Sequence, residues 1–82
     1  MTYEVEFKPR ALKDLKAVDR AEARRIVEKI KSMHEDLAGD VKRLTNFTPE
    51  YRLRVGNYRV LFELEDDKVV IYRIRHRKDA YS

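Results

Sequence analysis

YRLRVGNYRVLFELEDDKVVIYRIRHRKDAY, residues 51–81, is the stretch whose periodicity decides the fold. YRLRV (51–55) alternates charged and apolar side chains strictly, the period of a half-buried strand. Gly56 and Asn57 follow, then YRVLFELE (58–65) and DKVVIYRIR (67–75), two further runs of strand character. A two-residue Gly-Asn connection predicts a type II′ hairpin turn, with glycine supplying the positive φ that this turn needs. The turn fixes the register: Val55 opposite Tyr58, Arg54 opposite Arg59, Leu53 opposite Val60. Tyr51, Leu53, Val55, Tyr58, Val60 and Phe62 then share the face turned to the rest of the protein, while Arg52, Arg54 and Arg59 gather on the other. Two arginines directly across a strand pair repel by some tenths of a kcal/mol up to about 1 kcal/mol. An anion held there would offset that repulsion; arginines lying over a solvated sheet are the plain alternative.

The second hairpin can close in two ways. A two-residue turn at Asp66-Asp67 pairs Glu65 with Lys68 and puts Tyr72, Ile74 and His76 on the arginine face. A three-residue loop puts Arg73, Arg75 and Arg77 there instead. Val69-Val70-Ile71-Tyr72 reads as a strand buried on both faces, so alternation does not choose between the registers. In either case Arg75-His76-Arg77-Lys78-Asp79-Ala80-Tyr81 brings cations, an imidazole and a phenol to the end of this strand.

Upstream, TYEVEF (2–7) alternates with Tyr3, Val5 and Phe7 on one side, a first strand. Pro9 ends it and suits the first turn of a helix whose inner stripe is Leu12, Leu15 and Val18. Asp19 and Glu22 have capping-box spacing, and Ala23, Ile26, Val27, Ile30, Met33 and Leu37 continue as one apolar helical face until Gly39. His34, beside Met33, reads as a partly buried helix residue. From Val41 to Glu50 the pattern is that of a connecting loop, pinned by Leu44 and Phe47 and kept from helix by Pro49. The expected fold is α+β, β-α-α-β-β-β, an antiparallel sheet with an N-terminal helical hairpin packed on one face, in a single domain spanning residues 1–82.

The charge is unevenly spread. Residues 1–41 hold nine Lys/Arg and nine Asp/Glu, residues 42–82 ten and six, so the whole net charge of +4 sits in the second half. A pI near 9.5 with its surplus in one region suits a polyanionic partner, and arginine, which dominates there, forms forked contacts to phosphate. The chain has no cysteine and two histidines, so no disulfide, metal site or other cofactor is expected. Two glycines exclude a P-loop or a dinucleotide-binding glycine pattern. No apolar run approaches the roughly 18 residues of a membrane span, and the start MTYEVEFKPR has no apolar signal core, so a cytoplasmic location with no membrane contact is expected.

Cations, an aromatic ring and a titratable group side by side are what RNA cleavage without metal requires. The 2′-hydroxyl loses a proton, the phosphate passes through a dianionic state, and the 5′-oxygen gains a proton. Arginines hold the charge, and a Tyr or His stacks on an unpaired base. His76 has the suitable unperturbed pKa, about 6.5, for moving protons, and a role as an ordinary turn residue is its alternative. Arg75, His76 and Lys78 belong to this cluster as substrate-binding candidates, beside Arg52.

The YRLRVG-YRV core with its terminal HR-x-x-x-Y resembles the C-terminal sheet of RelE/ParE toxins of type II toxin-antitoxin systems, and EVEFKPRALKDLKAVD resembles their first strand and helix. The resemblance spans essentially the whole chain. It implies a toxin of the RelE-like branch: a metal-independent endoribonuclease that cleaves mRNA in the A site of the 70S ribosome and inhibits translation. A ParE-like DNA gyrase inhibitor, or an inactive corepressor that only binds its antitoxin, are the alternatives that the same scaffold implies. Carried over by position, Arg52 and Arg54 match basic residues beside the scissile phosphate, often lysines in the family. Arg59 matches an arginine that stabilises the transition state, Arg77 a later catalytic arginine, and Tyr81 the C-terminal tyrosine that stacks on or helps activate the substrate. Arginine at 52 and 54 is a weaker base than lysine, which leaves proton transfer to His76, Tyr81 or ribosomal groups. The implied partner is a cognate RelB-like antitoxin, through which the complex would bind operator DNA.

Overall fold

The computed structural model of the protein describes residues 3–33, 41–46 and 48–80. His34, Leu37 and Gly39, read as the end of the long helix, lie outside the described residues, as do Phe47 and Tyr81. The chain runs β1 (Glu4–Phe7), α1 (Pro9–Ala17), α2 (Arg20–Ser32), β2 (Val41–Arg43), β3 (Tyr51–Val55), β4 (Tyr58–Glu65) and β5 (Lys68–His76). No helix among the described residues is long and apolar enough to cross a membrane.

Local chemistry sets the helix boundaries. Pro9 occupies the first turn of α1, where its missing N–H removes no bond. Asp19 caps α2, its carboxylate accepting from the Ala21 N–H at 3.2 Å. The inner stripe of α1 is Ala11, Leu15 and Val18, and Leu12 stands 46% exposed, against the expectation. The cause is the helical period: a contact face advances by three and four residues, and Ala11, Leu15, Val18 follows that alternation where Leu12, Leu15, Val18 drifts off it. In α2, Ile26, Ile30 and the following Met33 are fully buried against Leu53, Val60, Phe62 and Ile71, each such side chain contributing about 2 kcal/mol of burial.

The α+β reading holds, with two differences in the sheet. Its order is β1-β5-β4-β3-β2, and β1 runs parallel to β5, Glu4 beside Lys68 through Phe7 beside Ile71; every other pair is antiparallel. The two helices carry the chain from β1 to β2 at the opposite edge, and the antiparallel steps from β2 through β3 and β4 then bring β5 beside β1 running in the same direction. The stretch read as loop also contains a strand, β2, pairing Val41 with Leu53 and Arg43 with Tyr51. Three residues with two cations show too little alternation to be legible as a strand.

The first hairpin has the expected register, Val55 with Tyr58, Arg54 with Arg59 and Leu53 with Val60. Gly56 has φ +56, and Asn57 does not share the positive φ that a type I′ turn would require of it. The second hairpin resolves the open choice unexpectedly. Its turn is the two-residue one, with Glu65 beside Lys68 and Asp66 at φ 58. The register then shifts: Phe62 pairs with Ile71 but Leu61 pairs with Arg73, so Tyr72 is an extra residue in β5. This bulge reverses the alternation beyond it. Ile74 enters the core opposite Val60, and Arg75 lies opposite Arg59 on the arginine face. The short turn thus coexists with the face assignment that the longer loop implied for Arg73 and Arg75.

Candidate nucleic-acid interface

Register alone assembles the site. Across β3, β4 and β5 the residues Arg54, Arg59 and Arg75 stand side by side in one row. The adjoining row runs Lys42, Arg52, Leu61, Arg73. Cross-strand neighbours project to the same side, so five of these cations and the Arg73 position share the sheet surface opposite the helices. The far end of that surface is acidic, with Glu6 and Glu63 flanking Val70. There the Glu63 carboxylate accepts the Glu50 N–H, and the buried Pro49 precedes it, so the segment between β2 and β3 reaches this face of the sheet.

The arginine row is held in different ways. Arg59, half-buried, donates from Nη1 to the carbonyls of Gly56 (3.1 Å) and Tyr58 (3.0 Å), which folds its guanidinium over the hairpin turn. Among the described residues no carboxylate lies within ion-pair distance of Arg59, Arg75, Arg77 or Lys78. Positive charge concentrated in this way is suited to an external anion.

Arg73 is the exception. Its Nε and Nη2 donate to the Asp14 carboxylate at 2.7 and 3.2 Å, and the Ile74 N–H donates to the same group at 3.0 Å. On the β1 side of β5 no strand among the described residues pairs beyond Phe7, and there this α1 carboxylate takes up the Ile74 amide. Burial alone would raise the Asp14 pKa, but the bonds from Arg73 and Ile74, with the charges of Arg73 and Arg75, outweigh it and hold the carboxyl below its ordinary value. The hydrogen bond to Asp14 raises the Arg73 guanidinium correspondingly. Nothing in the sequence distinguishes Asp14 from a solvated helix residue, and it escaped sequence reasoning for that reason.

The segment after β5 is tied to the same end of the sheet. The Arg77 N–H donates to Asn57 O at 2.8 Å, extending the ladder to the first hairpin turn, and the Asp79 N–H donates to His76 O at 2.8 Å. His76 pairs with Tyr58 on the helix-facing side of the strands, its ring edge-on to Tyr58 at 5.5 Å, away from the arginine row. Its Nδ1 accepts the Lys78 N–H at 3.3 Å. Arg77 and Lys78 are exposed and Ala80 is buried, 2% exposed, anchoring the turn. Tyr81 follows outside the described residues.

A family model described as "ParE toxin of type II toxin-antitoxin system, parDE" matches residues 5–81. The chain belongs to the RelE/ParE toxin family. Within that family this toxin is 35% identical to Toxin RelE3 of Methanocaldococcus jannaschii, with 95% of the chain and 94% of the relative covered. The toxin superposes on the RelB-RelE antitoxin-toxin complex from Methanococcus jannaschii with a TM-score of 0.78 at 32% identity, covering 93% of this chain and 94% of that one. The archaeal RelE-RelB complex from Pyrococcus horikoshii gives 0.79 at 27% identity, with 98% and 100% covered. The toxin's relatives by sequence are thus RelE proteins, and its fold is RelE-like.

Proposed function

We propose that this RelE-like toxin is a ribosome-dependent endoribonuclease that cuts mRNA in the A site. The observation that carries the reading is the row Arg54-Arg59-Arg75, with Arg77 tethered beside the turn at its end. In the reaction the 2′-oxygen of the message bonds to the adjacent phosphorus and gives up its proton. The bond from phosphorus to the 5′-oxygen breaks, that oxygen takes a proton, and a cyclic phosphate remains. Arg54, Arg59 and Arg77 hold the charge of the pentavalent state, and such electrostatic stabilisation contributes about 10²- to 10³-fold per donor. Arg52, Arg75 and Lys78 position the backbone, and Tyr81 stacks on the base or helps activate the substrate. His76, with Nδ1 engaged by the Lys78 N–H, acts by shaping the turn that presents Arg77 and Lys78.

The partner is a RelB-like antitoxin, consistent with the two relatives crystallised in RelB complexes. An acidic or amphipathic antitoxin segment lying over the arginine rows would neutralise them, and the complex would reach operator DNA through the antitoxin.

The match to a family model described as ParE favours a second reading, inhibition of DNA gyrase without any chemistry on RNA. Primer extension on a defined mRNA in a purified translation system, with ribosomes omitted as control, separates the two. Cuts within codons that need ribosomes are expected. Intact mRNA from a folded protein that still arrests growth would instead establish a target other than the message.

A further inference from the structure

The bulge that turns Arg75 onto the arginine face also places Tyr72 in a groove of its own. This groove, about 640 Å³, lies between the start of α1, strand β5 beyond the end of β1, and the segment before β3. Pro9, Pro49 and Tyr72 give it apolar and aromatic walls. Lys8, Arg10 and Lys13 give it positive charge, and Arg73 closes the side towards the arginine rows. The Lys8 ammonium stands 5.5 Å from the centre of the Tyr72 ring. Arg10 and Lys13 are exposed and, among the described residues, have no carboxylate within ion-pair distance. Lys8 and Arg10 moreover flank the start of a helix with no acidic residue in its first turn, where cations are unfavourable for the helix itself.

We infer that this groove binds one nucleotide of single-stranded RNA flanking the nucleotide held by the arginine row. The inference takes its ligand class from the proposed RNA-cleaving function. Three observations support it. The charged side chains lining the groove are all positive, and of the carboxylates beside it Asp14 is engaged by Arg73 and Ile74 while Glu65 accepts the Tyr72 hydroxyl at 2.9 Å. A tyrosine ring and two prolines offer flat apolar surface of the kind on which an unpaired base packs, whatever its identity. Arg73 lies two residues from Arg75 along β5, about 7 Å, so a strand leaving the row enters the groove at its next nucleotide. An acidic peptide would meet the same charge, but continuity with the arginine row favours RNA. Beta bulges commonly re-aim side chains beside functional sites, and one inserted residue here serves both halves of the track.

The test is fluorescence anisotropy of the full chain with a single-stranded 2′-O-methyl oligoribonucleotide, which has no 2′-hydroxyl to react. Arg10→Ala/Lys13→Ala is expected to remove two phosphate contacts and to flatten the slope of log affinity against log salt by about 1.4. Tyr72→Ala is expected to weaken binding at least about fivefold, and Tyr72→Phe to bind as wild type, since the ring and not its hydroxyl makes the contact. No wild-type binding at low salt, or Arg10→Ala/Lys13→Ala and Tyr72→Ala variants that bind as wild type, would overturn the inference. So would a peptide of Glu and Leu that binds through Arg10 and Lys13 while the oligonucleotide does not, which would make the groove a protein site. The cleavage assay fails separately. A wild type that leaves mRNA intact but binds the oligonucleotide through Arg10 and Lys13 removes the enzyme reading and keeps the groove; one that cuts mRNA while the variants bind as wild type does the reverse.

Discussion

Replacing Asp14 by asparagine should destabilise the protein at neutral pH and do nothing in acid. The carboxylate accepts three hydrogen bonds, from Arg73 at 2.7 and 3.2 Å and from the Ile74 N–H at 3.0 Å, at a site where the two side chains are only 18% and 26% exposed. Asparagine keeps one acceptor and turns an NH₂ towards a guanidinium. At least one charge-assisted bond is lost and the others become weaker neutral ones, so the expected loss is about 1.5–3 kcal/mol. The pH dependence follows from the depressed carboxyl. A group with a lower pKa in the folded state stabilises fully above its unfolded value, here near 3.8, and that stability fades as pH falls through the lower folded value. Urea unfolding followed by circular dichroism, wild type against Asp14→Asn, should therefore give two midpoints near neutrality that converge in acid. A neutral-pH gap under about 0.5 kcal/mol, the range of ordinary surface changes, would refute the assigned role, as would a gap that persists unchanged in acid.

Three further outcomes are expected. Arg59→Ala removes one member of the Arg54-Arg59 cross-strand pair, so stability in urea should stay within about 1 kcal/mol of wild type while growth inhibition on induction falls at least about tenfold; undiminished toxicity would sink the site. Gly56→Ala puts a β-carbon on a residue at φ +56 and should cost about 1–2 kcal/mol, seen as a lowered thermal midpoint; an unchanged midpoint would contradict the turn. Ile30→Ala empties a fully buried position and should cost about 2–5 kcal/mol, a large share of the stability of so small a domain, and native-like unfolding would show that α2 does not pack as described.

What could be read from the sequence was what depends on periodicity and short-range turn chemistry. Gly56-Asn57 set a register that brought Arg54 to Arg59, because a two-residue loop leaves no freedom in the pairing. The Asp19 cap and the Ile26, Ile30, Met33 stripe were legible for the same reason, a side chain whose local geometry has few alternatives. Tyr72 was not, since an inserted strand residue breaks alternation inside a run that is apolar on both faces and leaves no mark. The parallel pairing of β1 with β5, the Asp14 contacts with Arg73 and Ile74, and the approach of Pro49 to Tyr72 join residues far apart in the chain, and no local pattern encodes them. The arginine row was half visible: Arg54 and Arg59 from the first hairpin, Arg75 only as one of two possibilities.

The extra residue in β5 gives the second hairpin an arithmetic of odd and even. Counting from the Asp66-Asp67 turn, every residue up to Ile71 obeys one parity and every residue from Arg73 onward obeys the other. Deleting Tyr72 alone would remove the bulge and keep Ile74 in the core and Arg75 on the arginine face, whereas straightening the strand with Tyr72 still in it would send Arg75 into the core and Ile74 into water. The arginine row therefore holds its third member only while the bulge absorbs Tyr72, and the turn alone does not set it.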